Sequence, residues 1–381
     1  MGNYRNLPTA GSAKRGRRKY VGTRLIPILL TGFLGLSVVG ASVAGASGGS
    51  VAAARKLATA ALVTPANVSN TTPLTSKPKK QTIVWLMCEN QACKDQGAGL
   101  QAAAKVLGWN FKQVNYLSSD SSTLITAMRT ALQYHPLAVA LSGIGESEWL
   151  VEEKAYAAAG VKIIPTVTTA NISATVPVVI GNFSASGRVM GDYFVANSNG
   201  HGGAVIVNLP AFPVLTQYAS GVQAQVKANC PNCQTSVFNG TFTQLGDGQF
   251  VPGIVTALKE NPTYKYVIVA ADLLTPTLPS ALKTAGLGYV KILGGQPDPS
   301  DIVNIQAGTE VAATNLNNIL IGWEIGDAAA RISEHMRIPG GDGGVPFQLL
   351  TKANLTKGSN INRYAVPAGF IAKYKVLWHV R

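Results

Sequence analysis

Four cysteines carry the most obvious chemistry in this chain of 381 residues: Cys88, Cys93, Cys230 and Cys233. A thiol pair can close a disulfide, hold zinc or exchange electrons, and spacing and context decide between these. Cys230-Pro231-Asn232-Cys233 is a CxxC. A thioredoxin-type redox pair stands at a strand-to-helix turn. Here the motif follows a helical pattern at 221–228 and precedes the strand pattern TSVFN at 235–239, an order that favours a structural loop disulfide. Zinc needs a second ligand pair, and His201, His335 and His379 show no ligand spacing. Cys88 and Cys93 flank the loop after the first strand pattern. They can bridge locally and stiffen it; free buried thiols are the alternative. HExxH and Walker A sequences are missing, and Gly143-Ile144-Gly145 is only half of a dinucleotide fingerprint. No catalytic residue, metal ligand or cofactor is therefore expected.

The elements that must position these groups follow a β-α-β rhythm. IVWLM (83–87), FKQVNYL (111–117), LAVALS (137–142), VKIIPTV (161–167) and VPVVIGN (176–182) read as strands. Helical patterns over 92–107, 122–134 and 148–159 separate them. Continuous apolar runs joined by helices indicate parallel strands covered on both faces. The rhythm restarts with GAVIVNL (203–209), a helix over 216–227, TSVFN, a helix over 249–260 and YVIVA (266–270), which runs into Asp272. A helix over 278–285, YVKILG (289–294), GTEVAAT (308–314), a long helix over 317–335 and VPFQLLT (345–351) complete it. The fold class is α/β with two such lobes, and sheets of this kind take ligands at the carboxyl ends of their strands.

Charge separates the chain into two parts. Twelve of the 32 Lys and Arg lie in residues 1–80, which contain no Asp or Glu, so residues 81–381 hold 20 basic and 18 acidic groups. The folded part is nearly neutral and has no basic stripe interleaved with aromatics, which argues against a nucleic-acid partner. Lys14-Arg15-Gly16-Arg17-Arg18-Lys19 precedes an apolar segment over 25–46, and Ala44-Gly45-Ala46 fits a small-x-small cleavage pattern. Residues 1–46 are read as a signal peptide or signal anchor. Arg17-Arg18 also loosely resembles a twin-arginine signal. The chain is then exported, either free or tethered by an uncleaved N-terminal segment. Residues 47–80, rich in Ala, Thr, Ser, Asn and Pro, read as a flexible linker spanning roughly 30 Å as a random coil.

A set of landmarks stands in order along 81–355. They are Gly108-Trp109, Ala159-Gly160-Val161, Gly187 with Gly191-Asp192-Tyr193, Ala271-Asp272, Ala285-Gly286, Gly294-Gly295 and Gln306-Ala307-Gly308. Together they resemble the type 1 periplasmic binding proteins, the ribose-binding-protein superfamily. That resemblance implies two doubly wound parallel-sheet lobes joined by three crossovers, near Asn182, Thr314 and Pro346. Lobe 1 would be 81–181 plus 316–345, and lobe 2 would be 183–314 plus 347–381. The lac-repressor branch carries a helix-turn-helix before the lobes; here an export segment occupies that place.

The resemblance also nominates ligand contacts in the loops after the strands. From the first lobe come Glu89, Asn90, Gln91, Ser142, Gly143, Glu146 and the stretch from Thr168 through Thr169 to Asn171. From the second come Phe212, Gln217, Tyr218, Asp272 and Gln296. Each could equally be a turn or cap residue. Departures from the sugar-binding template stand out. Ala170-Asn171 replaces an Asp-Arg pair, Tyr218 stands at an Arg position, Ala271 at an Asn and Gln296 at an Asp. Phe212, Tyr218 and Trp149 offer aromatic faces instead. The implied protein is a monomeric, exported solute-binding receptor that closes its lobes on a sugar, a sugar-like molecule or an aromatic compound. It would deliver that ligand to an ABC permease. A sensory receptor and a secreted enzyme are the alternatives.

Overall fold

The computed structural model describes residues 46–181, 183–338, 344–356, 358 and 360–381. Residues 1–45 of the export segment, and Asn182, near which a crossover is expected, lie outside them. Among the described residues, no helix is long and apolar enough to cross a membrane.

The first sheet is all parallel, in the order β2-β1-β3-β4. Its strands are β1 (Thr82–Met87), β2 (Asn110–Asn115), β3 (Ala138–Ser142) and β4 (Lys162–Thr166). The crossover helices are α2 (Gln91–Leu107), α3 (Ser121–Leu132) and α4 (Leu150–Ala159), preceded in the chain by α1 (Ala46–Ala61). Every residue of β3 and Ile83 to Leu86 of β1 are buried, as helices on both faces require. Residues 176–181 do not form the fifth strand that the apolar run predicts. They make one isolated parallel bridge, Thr166 to Ile180. Pro177 has no N–H to give a ladder there, which confines the segment to an edge.

The second sheet has the order β10-β9-β8-β7-β5-β6 and is parallel except for β10 against β9. Its strands are β5 (Gly203–Asn208), β6 (Gln234–Asn239), β7 (Tyr264–Val269), β8 (Lys291–Gly295), β9 (Glu310–Leu316) and β10 (Phe347–Thr351). The helices are α5 (Phe183–Asn197), α6 (Pro213–Asn229), α7 (Phe242–Gly246), α8 (Phe250–Glu260), α9 (Leu278–Thr284), α10 (Pro299–Ala307), α11 (Asn318–Ser333) and α12 (Phe370–Leu377). Thr314 lies inside β9, paired with Gly295, and the chain leaves this sheet after Leu316. It returns through α11 to the first sheet. There α11 crosses α2 at Gly99 and Gly322, where the backbones nearly touch. A methyl on Gly99 would collide with the Ile319 carbonyl, and one on Gly322 with that of Gln96.

Two terminal segments depart from the sequence expectation. Residues 47–80 are not a free linker. Helix α1 packs on α5 and buries Ala54 and Ala58, and the following stretch buries Val68 and Leu74. That stretch is tied to α11. Ser69 N donates to Glu324 (3.0 Å), Asn70 Nδ2 to Asp327 (2.9 Å) and Arg331 to the Thr72 carbonyl (2.8 Å). The tail after β10 does not stay with the second sheet either. Trp378 stacks on Trp323 of α11, and its Nε1 donates to Asp327 at 2.8 Å. Asp327 and Arg331 form a fully buried ion pair at 2.7 Å. Composition pointed to disorder at 47–80 because the acceptors that hold it lie more than 250 residues away.

Candidate functional site

The carboxyl ends of both sheets meet around a cleft. A chamber of about 530 Å³ lies between the loops after β1, β2 and β3 and those after β5 and β6. A smaller chamber of about 170 Å³ adjoins it, sharing Asn90, Ser142, Gly143 and Phe212 as wall. Asn90 is placed by capping α2, its side chain accepting from Cys93 N at 2.8 Å. A disulfide between Cys88 and Cys93 closes the same turn, so Cys88 faces the larger chamber and Cys93 the smaller. Ser142 ends β3. Its carbonyl takes a 3.4 Å bond from the Tyr116 hydroxyl, whose pKa burial pushes far up.

The cleft floor is held by polar groups and by strained backbone. Gln96 bridges the sheet and α11, donating to Asn318 (2.9 Å) and accepting from Thr166 (3.2 Å). Val167 and Gln296, after β4 and β8, both adopt positive φ, 50° and 49°. A β-branched residue in that region is an outlier costing on the order of 1–3 kcal/mol. Both side chains line the smaller chamber. Gln296 is anchored by its N–H to the Thr314 carbonyl at 2.8 Å.

A family model for a periplasmic binding protein domain matches residues 87–335. The chain belongs to that family. No curated protein matches the sequence. Among solved structures, a sugar ABC transport system substrate-binding protein from Bordetella parapertussis 12822 superposes with a TM-score of 0.64 at 17% identity. It covers 82% of this chain and 99% of that one. A 5-methylthioribose transporter solute binding protein from Thermotoga lettingae TMO, in complex with 5-methylthioribose, gives 0.61 at 17% over 81% and 99%. A carbohydrate transporter solute binding protein from Agrobacterium radiobacter, in complex with D-arabinose, gives 0.60 at 20% over 73% and 96%. At these identities the likeness is one of fold.

The cleft of this periplasmic binding protein gathers five of the nominated residues: Asn90, Ser142, Gly143, Phe212 and Gln296. Gln91 lines an adjoining recess with Gln296. The others sit elsewhere. Glu89 is exposed and bonded to Ser118, through its hydroxyl and through its N–H at 3.1 Å, which lowers the Glu89 pKa. Glu146 braces the loop after β4 by accepting from Asn171 N (3.1 Å) and Nδ2 (2.7 Å). Thr168 donates to the Ile144 carbonyl, and Thr169 is half-buried without lining the cleft. Tyr218 is a packing residue, 1% exposed, whose backbone lies against Gly187 of α5. Gln217 and Trp149 line neither chamber, and Trp149 is fully buried.

Asp272 takes neither of the roles its position suggests. It makes no side-chain cap bond to the turn it opens, Asp272–Leu274, and it lines neither chamber, although Ala271 and Leu273 on either side do. The tight turn after β7 aims the side chains of Ala271 and Leu273 at the chamber and that of Asp272 away from it. Asp272 points under β8, where its carboxylate lies with those of Asp301 and Glu310, oxygens within 4.8 Å of one another. Only a glycine, Gly294, leaves room for them. Burial drives all three pKa values up, that of Asp301 to about 6. The second disulfide, Cys230 to Cys233, is remote from the cleft and closes the turn between α6 and β6.

Sequence reasoning missed most of the wall. Tyr116, Leu117, Ser118 and Ser119 come from the loop after β2, Ser121 from the first turn of α3 and Phe242 from the first turn of α7. Phe242 meets Phe212 edge-on, ring centres 5.1 Å apart. The available signal was the serine run 118-SSDSS-122 directly after a strand pattern.

Proposed function

We propose that this protein is an exported solute receptor that captures a sugar-like molecule between its lobes by hinge closure and hands it to an ABC permease. The observation that carries the reading is the cleft itself. Loops from the carboxyl ends of both sheets wall one chamber, so a ligand bridging them stabilises a closed form that an empty protein does not favour. Ser118, Ser119, Ser142 and Asn90 offer neutral donors and acceptors of the kind that match hydroxyls. Phe212 and Phe242 offer the aromatic faces on which a sugar ring packs. The ligands of the neighbours, D-arabinose and 5-methylthioribose, fall in the same class.

Export supports this reading and is part of it. Both disulfides need an oxidising compartment to persist, and they agree with the basic, acid-free start of the chain. In this reading the protein works as a monomer that binds and releases its ligand unchanged. A thermal-shift screen over pentoses, hexoses, their deoxy and thio derivatives and polyols tests the proposal. Small-angle scattering with and without a hit should show compaction. Catalytic turnover of a hit, or binding without compaction, would overturn it.

A further inference from the structure

The two chambers differ in chemistry. The larger is edged by the serines of the loop after β2 and by Asn90 and Ser142. The smaller is walled by Phe183, Val214, Leu215, Ala271, Leu273 and Leu274. Its polar side chains are Asn90 and Ser142 on the shared wall, Gln296, and Gln96 and Asn318, which already bond to each other. Neither chamber presents a Lys, Arg, His or Asp among the described residues. The one ionisable acid on the walls, Glu148, accepts a bond from Ser121. A bound acid or phosphate would find no cationic side chain to pair with here. An unsubstituted polyol would leave hydroxyls unpaired in the smaller chamber, at a cost comparable to a lost hydrogen bond.

Resting on the receptor reading above, we infer that the ligand is an uncharged sugar bearing an apolar substituent. The ring occupies the larger chamber, between the serine loop and Phe212. The substituent passes Asn90 and Gly143, the shared wall, into the smaller chamber against Leu215 and Leu273. The disulfide Cys88–Cys93 fixes the turn at the junction between the two.

Isothermal titration of the whole protein with matched probes tests this: D-ribose against 5-methylthioribose, and methyl against phenyl β-D-glucopyranoside, with glucose 6-phosphate and glucuronate as charged members. Burying the extra apolar group should tighten binding roughly tenfold or more in at least one pair. The charged members should bind more weakly than their neutral parents. Leu273 is 57% exposed, so Leu273→Asn is compatible with folding, which melting without ligand checks. That variant should shrink the affinity ratio within the responsive pair. Equal affinities within both pairs, or a preference for a charged member, would overturn the inference and leave the receptor reading standing. Silence of every probe, together with silence in the wider thermal-shift screen, would remove both.

Discussion

Replacing Glu324 with Gln should make the protein less sensitive to alkaline pH, by an amount the structure sets. Glu324 lies in the middle of α11, 3% exposed, and accepts the Ser69 N–H at 3.0 Å. Burial, the dominant cause, pushes its pKa up to about 7. The folded value lies above that of an unfolded glutamate, ~4.3. The protonated form therefore favours the folded state. Its contribution is complete below the unfolded value and is lost as pH rises through about 7. Each tenfold difference in proton affinity is worth about 1.4 kcal/mol, so the loss between pH 5 and pH 8 is about 2–3 kcal/mol. Glutamine keeps the oxygen that Ser69 needs and cannot ionise. Urea unfolding followed by tryptophan fluorescence at pH 5, 6.5 and 8 reads the difference. The variant should match the wild type within about 1 kcal/mol at pH 5 and exceed it by about 2–3 kcal/mol at pH 8. Asp272, Asp301 and Glu310 shift in the same direction. They add to the decline of both proteins but cancel in the comparison. A stability difference that stays flat across this range would refute the reasoning.

Two further outcomes are expected. Gly99→Ala forces a methyl into the Ile319 carbonyl at the crossing of α2 and α11, and should cost about 1–3 kcal/mol in chemical denaturation. An unchanged midpoint would show that the helices part without cost. A variant lacking residues 1–76 should melt below one lacking residues 1–45 by the equivalent of about 3 kcal/mol or more. It strips Asn70 and Thr72 from the buried Asp327–Arg331 pair and opens it to water. Equal melting temperatures would mean that the segment rides on the fold without supporting it.

The sequence by itself determined the class of fold. Buried parallel strands need long apolar runs, and helices need their own period, so β1, β3, β5 and β7 stood out with their crossover helices. It also located the ends of the strands, and with them Asn90, Ser142, Gly143, Phe212 and Gln296 on the cleft. The spacing of the cysteines allowed both local disulfides. What only the tertiary structure decided were the matters of facing and of distant partners. Asp272 sits one residue from two cleft-lining neighbours, yet points the other way, because the tight turn Asp272–Leu274 directs its carboxylate under β8. Tyr218 is on the right helix but on the face packed against α5. Residues 47–80 have the composition of a linker, and they are ordered by Glu324, Asp327 and Arg331, whose charges have to be satisfied inside the molecule. A local pattern carries no information about a partner some 250 positions away, and the hydrogen bonds to that partner hold the segment in place.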